Sequence, residues 1–167
     1  MQFIWVFLGL VAVAQSAVPE APRNGKGKRI GQASDCNGAV AFSAVANPKD
    51  GKPPKKGAND VIVFDTPLID KSIGYSRESG IFTTHCPGLY QLTFTAYGDS
   101  NSEFSLRKRP SPSTTSWNKI VATGKSGGTH TVFLDMEVGE QAAVFVDSGS
   151  PSLSSHTFSG YRVYKKI

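Results

Sequence analysis

Residues 83–94 read TTHCPGLYQLTF, and the second half of this stretch decides the fold. Every second residue from Tyr90 to Ala96 is apolar, and the residues between them are Gln91, Thr93 and Thr95. Successive side chains of a β-strand point to opposite faces of the sheet. The alternation therefore predicts a strand over 89–97, with one face on a core and the other toward water or a neighbour.

The first half of the stretch predicts a corner before that strand. Pro87 has no amide donor and a fixed φ, and Gly88 tolerates positive φ, so the pair suits a turn between two strands. His85 and Cys86 then end the preceding strand. A catalytic Cys–His dyad needs side chains that converge, but neighbours on one strand point to opposite faces, which argues against catalysis here.

The same alternation extends through most of the chain after residue 39. Short runs with apolar residues at every second position are separated by Gly, Pro, Asn, Asp and Ser. The predicted strands cover residues 40–46, 60–65, 80–86, 89–97, 102–108, 117–123, 129–138, 141–147 and 157–165. No stretch of this region keeps a helical period, so the pattern predicts an all-β sandwich or jelly roll.

The first 38 residues have a different composition. Residues 1–16 carry no charge and are apolar from Phe3 to Ala14, which predicts a secretory signal peptide, since the run is too short to span a bilayer. Residues 17–38 predict a basic, flexible lead-in, whose KGKR at 26–29 matches a convertase cleavage site. The glycines keep no three-residue period, so a collagen stalk is not expected. The domain at 39–167 is expected to be secreted and extracellular.

The chain is basic, with a net charge of +5 and an isoelectric point near 9.3. Lys and Arg cluster in RNGKGKR (23–29), KPPKK (52–56) and RKR (107–109). In a secreted protein such clusters favour acidic glycans and anionic surfaces, or else they are solvated loops that maintain solubility. Nucleic acid is not expected, because the clusters lack interleaved aromatic residues. No Asn-x-Ser/Thr sequon occurs, so N-glycosylation is not expected.

Two cysteines, Cys36 and Cys86, are too few for a disulfide scaffold, so the fold must rest mainly on its core. The favoured alternative is one bridge within the chain. The other alternative is a bridge between chains through Cys36, with Cys86 as a buried thiol. The three histidines, at positions 85, 130 and 156, have no spacing that indicates a metal site.

One motif points to an enzyme. GKSGG at 124–128 matches the Gly-x-Ser-x-Gly pattern that holds a hydrolase nucleophile on a strand-to-helix turn. The segment that follows, THTVFLDMEV, alternates as a strand, so a glycine-rich turn is the favoured interpretation and no enzymatic activity is expected.

Several blocks, in this order, resemble the C1q-like globular-head domain of the C1q and tumour-necrosis-factor superfamily. They are AFSA (41–44), VFDTPLIDKSIGY (63–75), GIFTTHCPGLYQLTF (80–94), SGG (126–128) and FSGYRVY (158–164). The likeness extends over about residues 39–166, and its specificity lies in the ordered set of blocks rather than in any one of them.

The resemblance implies a ten-stranded antiparallel jelly-roll sandwich that assembles as a homotrimer, with both chain termini at its base. It also implies that the aromatic residues of these blocks pack in the core or at the trimer interface. These residues are Phe42, Phe64, Tyr75, Phe82, Tyr90, Phe94, Phe158, Tyr161 and Tyr164. Ordinary packing in a monomeric sandwich is the alternative.

The chain also departs from the family pattern. Thr84 stands where relatives often have Cys, and Cys86 occupies a position that is usually apolar, so the family's disulfide pattern does not carry over. Some relatives bind calcium near the top of the trimer. No full set of acidic ligands maps onto this chain, so calcium stays an open, unassigned cofactor.

Three functions are compatible with these features. The first is a recognition protein of innate immunity that binds microbial or host surface glycans and anions, with Arg107, Lys108 and Arg109 as the predicted contacts. The second is a structural component of an extracellular or biomineral matrix, and the third is a secreted receptor ligand. Loop composition alone does not choose among them.

Overall fold

The computed structural model describes residues 36–49, 51–57, 60–71 and 74–166. The predicted signal peptide, the convertase match at 26–29 and the lead-in before Cys36 lie outside the described residues. No helix in the described ranges is long and apolar enough to cross a membrane.

The described residues form nine strands in two antiparallel sheets. The strands are β1 (Ala41–Ala46), β2 (Thr66–Lys71), β3 (Phe82–Thr83), β4 (Gly88–Tyr97), β5 (Glu103–Arg109), β6 (Asn118–Ala122), β7 (Gly127–Met136), β8 (Gln141–Ser148) and β9 (His156–Lys165). The five-stranded sheet has the order β2-β1-β9-β4-β7, and the four-stranded sheet has the order β3-β8-β5-β6. This confirms the predicted all-β antiparallel jelly roll, with nine strands in the described residues where the family resemblance implies ten.

Residues 60–65 differ from their prediction as a strand. Val61 makes only an isolated bridge to Phe145, Ile62 bridges Lys56, and the regular strand β2 begins at Thr66. Residues 61–64 are buried one after another, because this segment is covered on both sides. Residues that are all buried form an apolar run in the sequence whether or not they pair with a neighbouring strand. The prediction of a strand over 60–65 is therefore wrong, and the alternation pattern does not predict β2.

The core lies between the two sheets and contains most of the aromatic residues of the C1q-like blocks. Phe42 stacks on Tyr75 and Phe82, with ring centroids 5.2 and 4.6 Å apart, and meets Phe158 edge-on at 5.0 Å. Those that are buried are Phe42, Phe64, Tyr75, Phe82, Tyr90, Phe94 and Phe158. Tyr161 and Tyr164 instead lie exposed on β9.

Gly160 allows the core to close beneath β9. A side-chain Cβ at this position would lie 2.5 Å from Leu92 Cδ2 and 2.6 Å from Phe42 Cε1. Carbon atoms cannot approach that closely without displacement of the neighbours, so the small residue is needed for the packing of Phe42.

The corner before β4 is fixed by a disulfide and a glycine. Cys36 and Cys86 form a disulfide within the chain, with Cα atoms 5.4 Å apart. Gly88 has a φ of +154°, and a Cβ there would lie 2.1 Å from the Tyr164 carbonyl oxygen. The Arg162 guanidinium donates a hydrogen bond to the Cys36 carbonyl. The folded unit therefore already includes Cys36, inside the segment predicted as a lead-in.

The chain termini and a group of loops occupy opposite ends of the sandwich. Cys36, Lys166 and the starts of β1 and β4 share one end, where the Lys166 amide donates to the Pro87 carbonyl at 3.3 Å. The other end carries loops 47–57, 98–102, 123–126 and 149–155, and we call it the loop end. Its loops touch each other, since the Ser155 hydroxyl donates to Asn47 Oδ1 at 2.7 Å and the Gly98 amide donates to the Ser126 carbonyl at 3.1 Å.

Candidate functional site

Two basic clusters of the sequence lie within the described residues, and their side chains differ in the partners they contact. The RKR cluster is the end of β5, in the middle of the four-stranded sheet. Arg107 and Arg109 point to the outer face of that sheet, where Val61, Ala143 and Phe145 form a small buried cluster, and Lys108 points the other way, as alternation requires. The three predicted contact residues therefore do not form one continuous patch.

Arg107 is held by a carboxylate and an aromatic ring. Its Nη2 donates to Asp147 Oδ1 at 2.6 Å, its Nε donates to Ser105 Oγ at 3.0 Å, and its guanidinium carbon lies 4.5 Å from the centre of the Phe145 ring. Lys119 Nζ binds the other carboxylate oxygen of Asp147 at 2.5 Å. One carboxylate thus neutralises two cations.

Asp147 stays ionised because of these partners. Its side chain is only 9% exposed, and burial alone would raise the pKa of the carboxyl. Hydrogen bonds from Lys119, Ser105 and Arg107 outweigh burial and hold the pKa below its usual value. The negative charge at Asp147 therefore persists at neutral pH and fixes both cations.

Arg109 and Lys108 also have partners within the chain. Arg109 Nε donates to Gln141 Oε1 at 2.6 Å, and its guanidinium carbon lies 4.4 Å from the centre of the Trp117 ring. Lys108 Nζ lies 2.7 Å from Glu140 Oε2. We call Arg107, Arg109, Lys119, Asp147 and Trp117 together the arginine face. Each of its cations has an internal hydrogen-bond or ion-pair partner.

The KPPKK cluster belongs to residues 47–49 and 51–57, which we call the lysine loop. Lys49 Nζ binds Asp65 Oδ2 at 2.7 Å, and Lys56 Nζ lies 3.3 Å from Asp60 Oδ1. In the described part of the chain, Lys52 and Lys55 have no ion-pair or side-chain hydrogen-bond partner. Unlike the arginine face, this loop presents exposed ammonium groups without a direct ion pair to a described residue, although the charge of Lys55 helps to lower the pKa of the Asp65 carboxyl.

A groove of about 370 Å³ runs beside the lysine loop. Its lining includes Lys49, Lys52, Lys55, Pro53, Pro54 and Asp65. Lys49 donates a hydrogen bond to Asp65, and this bond lowers the pKa of the Asp65 carboxyl. The groove therefore contains one lysine in an ion pair, Lys49, and two that make no direct ion pair with a described residue.

The exposed side of the five-stranded sheet carries hydroxyl and aromatic groups. Ser43 pairs with Ser159 at 2.8 Å, Thr93 with Thr131 at 2.8 Å, and Thr95 with Thr129 at 2.9 Å, all between hydroxyl oxygens. We call these six residues, with Tyr161 and Phe133, the hydroxyl face. Phe133 is 59% exposed, which is unusual for a phenylalanine on a strand that packs on a core.

Cys86 and Ser126, the two candidate nucleophiles of the sequence, have structural roles. Cys86 is in the disulfide and has no thiol to pair with His85. Ser126 of the GKSGG motif has a φ of +69° in the turn before β7, which is a strand and not the helix that a hydrolase nucleophile elbow requires. Within the described ranges, no group of three or more His, Cys, Asp or Glu side chains could hold a metal ion, so a calcium site stays unassigned.

Comparison with known proteins places this architecture in the class of C1q and tumour-necrosis-factor jelly rolls. The globular domain of zebrafish complement 1qA is similar, with a TM-score of 0.60 and 19% identity, covering 76% of this chain and 99% of that one. Eiger TNF from S. frugiperda has a TM-score of 0.56 and 11% identity over 77% of this chain and 95% of its own. Murine APRIL has a TM-score of 0.53 and 12% identity over 74% and 99%. At these identities the likeness shows the fold alone.

The family model of the C1q domain matches residues 41–163, and the chain belongs to the C1q domain family. A sequence search of curated proteins gave no match. Proteins with C1q domains are typically secreted recognition or ligand proteins, generally without enzymatic activity, and domains of the C1q and tumour-necrosis-factor class typically form trimers.

Proposed function

We propose that this protein is a secreted, homotrimeric recognition protein of innate immunity that binds anionic groups on microbial or host surface glycans. The observation that carries the proposal is the pair of exposed lysines at the loop end, Lys52 and Lys55, neither of which makes a direct ion pair with a residue that the structure describes. Unpaired, solvated ammonium groups attract anionic ligands and raise their association rate, whereas neutralised cations do so weakly.

The hydroxyl face supports the trimeric part of the proposal. It combines exposed aromatic rings, such as Phe133 and Tyr161, with hydroxyl groups that already satisfy one another across the strands. Such a surface is inexpensive to remove from water, because it buries no charge and leaves few polar groups unpaired. Self-association through this face would leave the lysine loop exposed at the loop end.

A trimer would bind a surface with repeated anionic groups more tightly than a single copy would. Exposed ion pairs contribute little individually, about 0–1 kcal/mol each. A trimer that presents three lysine loops to one surface gains from the high effective concentration of the second and third sites. Surfaces with repeated anionic groups, such as acidic polysaccharides, would therefore be favoured over single anions.

The test is binding of the purified mature protein to a panel of sulfated glycans, microbial polysaccharides, carbonate mineral and neutral glycans at physiological salt, with and without chelator. We expect selective binding to particular acidic glycans, and loss on chelation would add calcium to the site. Equal binding to every polyanion that disappears with modest added salt would indicate only generic attraction and would contradict the proposal. Partition into an insoluble tissue matrix, or saturable binding to one cell type alone, would favour the matrix or receptor-ligand function.

The predicted contacts Arg107, Lys108 and Arg109 are tested in the same assay. Arg109→Gln removes one charge and the contact with Trp117 while leaving the lysine loop intact. A large loss of glycan binding by this variant, with an unchanged melting temperature, would support the predicted contact site on β5. Unchanged binding would remove Arg109 from the predicted contacts.

A further inference from the structure

We propose that the loop between β5 and β6 is a site of O-linked glycosylation, with the hydroxyl groups of Thr115 and Ser116 as the acceptors of an N-acetylhexosamine. This inference goes beyond the proposed function and shares with it only the passage of the chain through a secretory pathway. Three observations carry it: the composition of the loop, its few bonds to the sandwich and the partners of its hydroxyl groups.

The composition of the β5–β6 loop is typical of an O-glycosylated segment. Residues 110–116 read PSPSTTS, so every residue is Ser, Thr or Pro and none is charged. Segments of secreted proteins that are rich in Ser and Thr and contain Pro are typical sites of O-linked sugars. Composition alone does not identify the site, because loop 149–155 reads GSPSLSS and has a similar character.

The structure distinguishes the two loops by their bonds to the sandwich, and loop 149–155 is firmly attached. Its Ser150 amide donates a hydrogen bond to the Ser102 hydroxyl at 3.0 Å. Its Ser152 amide donates to the Tyr97 carbonyl at 2.8 Å. A transferase must take the acceptor segment into its own groove, and these bonds oppose the local opening that this requires.

The β5–β6 loop is attached by far fewer bonds. Among the described residues, its backbone has one internal hydrogen bond, from the Thr114 amide to the Ser111 carbonyl at 3.1 Å. One side chain of a strand also holds it, since Arg109 Nη1 donates to the Thr114 carbonyl at 3.0 Å. The loop can therefore open locally without disturbing the ladders of the sheet, which makes it the accessible one of the two.

The hydroxyl groups of this loop fall into two sets. The Ser111 hydroxyl pairs with the Ser113 hydroxyl at 2.7 Å and lies 3.4 Å from Thr114 Oγ1. Thr115 and Ser116 are exposed, and their hydroxyl groups make no hydrogen bond with another residue that the structure describes. These two oxygens can meet an enzyme without the loss of an internal hydrogen bond, so they are the acceptors.

The position of the loop keeps a sugar away from the other surfaces of the molecule. The Arg109 guanidinium carbon lies 4.4 Å from the centre of the Trp117 ring, so the two ends of the loop are held together. Strand β5 runs from the loop end toward the chain termini and belongs to the four-stranded sheet. A sugar on Thr115 would therefore lie at the end opposite the lysine loop and on the sheet opposite the hydroxyl face.

The reaction uses a nucleotide sugar as co-substrate. The Thr115 hydroxyl oxygen forms a bond to C1 of a uridine-diphosphate N-acetylhexosamine, and the bond from C1 to the diphosphate oxygen breaks. The hydroxyl proton passes to a base of the transferase, and uridine diphosphate leaves. The product carries a bulky, neutral and hydrophilic group on its surface.

The experiment is peptide mapping of the protein secreted by cultured animal cells. Trypsin cuts after Lys108 and Lys119 but not between Arg109 and Pro110, so the single peptide 109–119 carries the whole loop. We expect a glycan whose first sugar is an N-acetylhexosamine, located on Thr115 and Ser116 by electron-transfer fragmentation. The tryptic peptide 126–162, which contains loop 149–155, should carry no sugar.

Two paired variants test the acceptors. Thr115→Ala with Ser116→Ala should lose the modification of peptide 109–119. The matched control, Ser154→Ala with Ser155→Ala, removes two exposed hydroxyl groups from the other Ser-rich loop and should leave the modification unchanged. Because all four positions are exposed, both variants should melt near the temperature of the wild-type protein.

A second assay does not depend on secretion. Folded protein produced in bacteria is incubated with a purified polypeptide N-acetylgalactosaminyltransferase and its nucleotide sugar, and the same two peptides are analysed. We expect transfer to peptide 109–119 of the wild-type protein and of the control, and a loss of transfer in the test variant.

Each contrary result has a distinct meaning. An unmodified peptide 109–119 in both assays would overturn the site, while the proposed function stands, because glycan binding is measured separately. A sugar that persists on Ser111 or Ser113 in the test variant would show that the assignment of the acceptors is wrong. A phosphate in place of the sugar would overturn the class of modification, and equal modification of peptide 126–162 would show that attachment to the sandwich does not select the loop.

Discussion

The hydroxyl face and the arginine face are the outer surfaces of the same sandwich, but they are built for different surroundings. The hydroxyl face has paired Ser and Thr hydroxyls beside exposed rings, and none of its eight residues is charged. The arginine face has its cations stacked on Phe145 and Trp117 and neutralised in part by Asp147. A surface of the first kind can be buried against another copy at small cost, whereas burial of the second would dehydrate several charges.

A basic residue therefore does not by itself make a binding site. Arg107 and Lys119 share one carboxylate, and their charges serve the stability of the sheet. Lys52 and Lys55 make no direct ion pair with any residue that the structure describes, although both clusters are similarly basic in the sequence. The distinction depends on what each cation meets across strands and loops.

The strongest test of the comparison introduces a charge into the hydroxyl face. Thr93→Lys puts an ammonium group in the middle of that face, and burial of an unpaired charge costs several kcal/mol. We expect the variant to be a monomer by sedimentation while the wild-type protein is a trimer. Ile120→Lys, at an exposed position on β6, adds the same charge and should remain trimeric. A trimeric Thr93→Lys variant would show that copies do not meet through this face.

The second test removes the charge that organises the arginine face. The Asp147 side chain is 9% exposed, and Asp147→Asn leaves Arg107 and Lys119 without their carboxylate partner. The substitution should lower the free energy of unfolding by about 2–3 kcal/mol. Urea denaturation at one protein concentration measures the change. Asp135→Asn, on an exposed residue of β7, should stay within about 0.5 kcal/mol. A loss of trimer in Asp147→Asn without a loss of stability would mean that the arginine face, not the hydroxyl face, is the interface.

The sequence predicts the regular part of this fold well. Alternation places β4 to within one residue, and the Pro87–Gly88 corner is where the residue types require it. The family resemblance identifies the fold, since ordered blocks reflect many packing constraints at once. β2 was missed because TPLIDK is an exposed edge strand with a proline and no alternation, whereas the buried run before it has a stronger apolar signal.

The candidate site is predicted less well, for a physical reason. Asp147 lies 40 residues from Arg107 in the chain, and the register between β5 and β8 alone brings them together. A sequence shows which residues are charged but not which of them are neutralised across strands. The KPPKK cluster is evident from composition, but the sequence does not show that Lys49 and Lys56 pair with Asp65 and Asp60 while Lys52 and Lys55 make no direct ion pair with a described residue.

The last test uses the pH dependence of stability to distinguish the interior between the two sheets from the two outer faces. His156 is buried, and its Nδ1 accepts a hydrogen bond from the Tyr97 amide at 3.2 Å, so this nitrogen carries no proton. Burial lowers the pKa of His156 below its usual value, and the hydrogen bond to the Ser152 carbonyl opposes this only in part. The unfolded chain therefore takes up a proton more readily than the folded one. Stability is full above the unfolded pKa of about 6.5 and falls as the pH drops below it.

Between pH 7.5 and pH 5 the loss from His156 should reach at most about 2 kcal/mol, since each pH unit below 6.5 contributes about 1.4 kcal/mol. Asp147 has a lowered pKa and stays ionised throughout this interval, so the arginine face contributes nothing to the slope. Urea denaturation at both pH values should show a smaller pH dependence in His156→Gln than in the wild-type protein. Burial also lowers the pKa of His85, so His85→Gln is the matched comparison. This variant should reduce the pH dependence of stability by less than His156→Gln does, because His85 is less buried. If the pH dependence of stability disappears in Asp147→Asn and not in His156→Gln, protonation on the arginine face, and not protonation of His156, destabilises the protein at low pH.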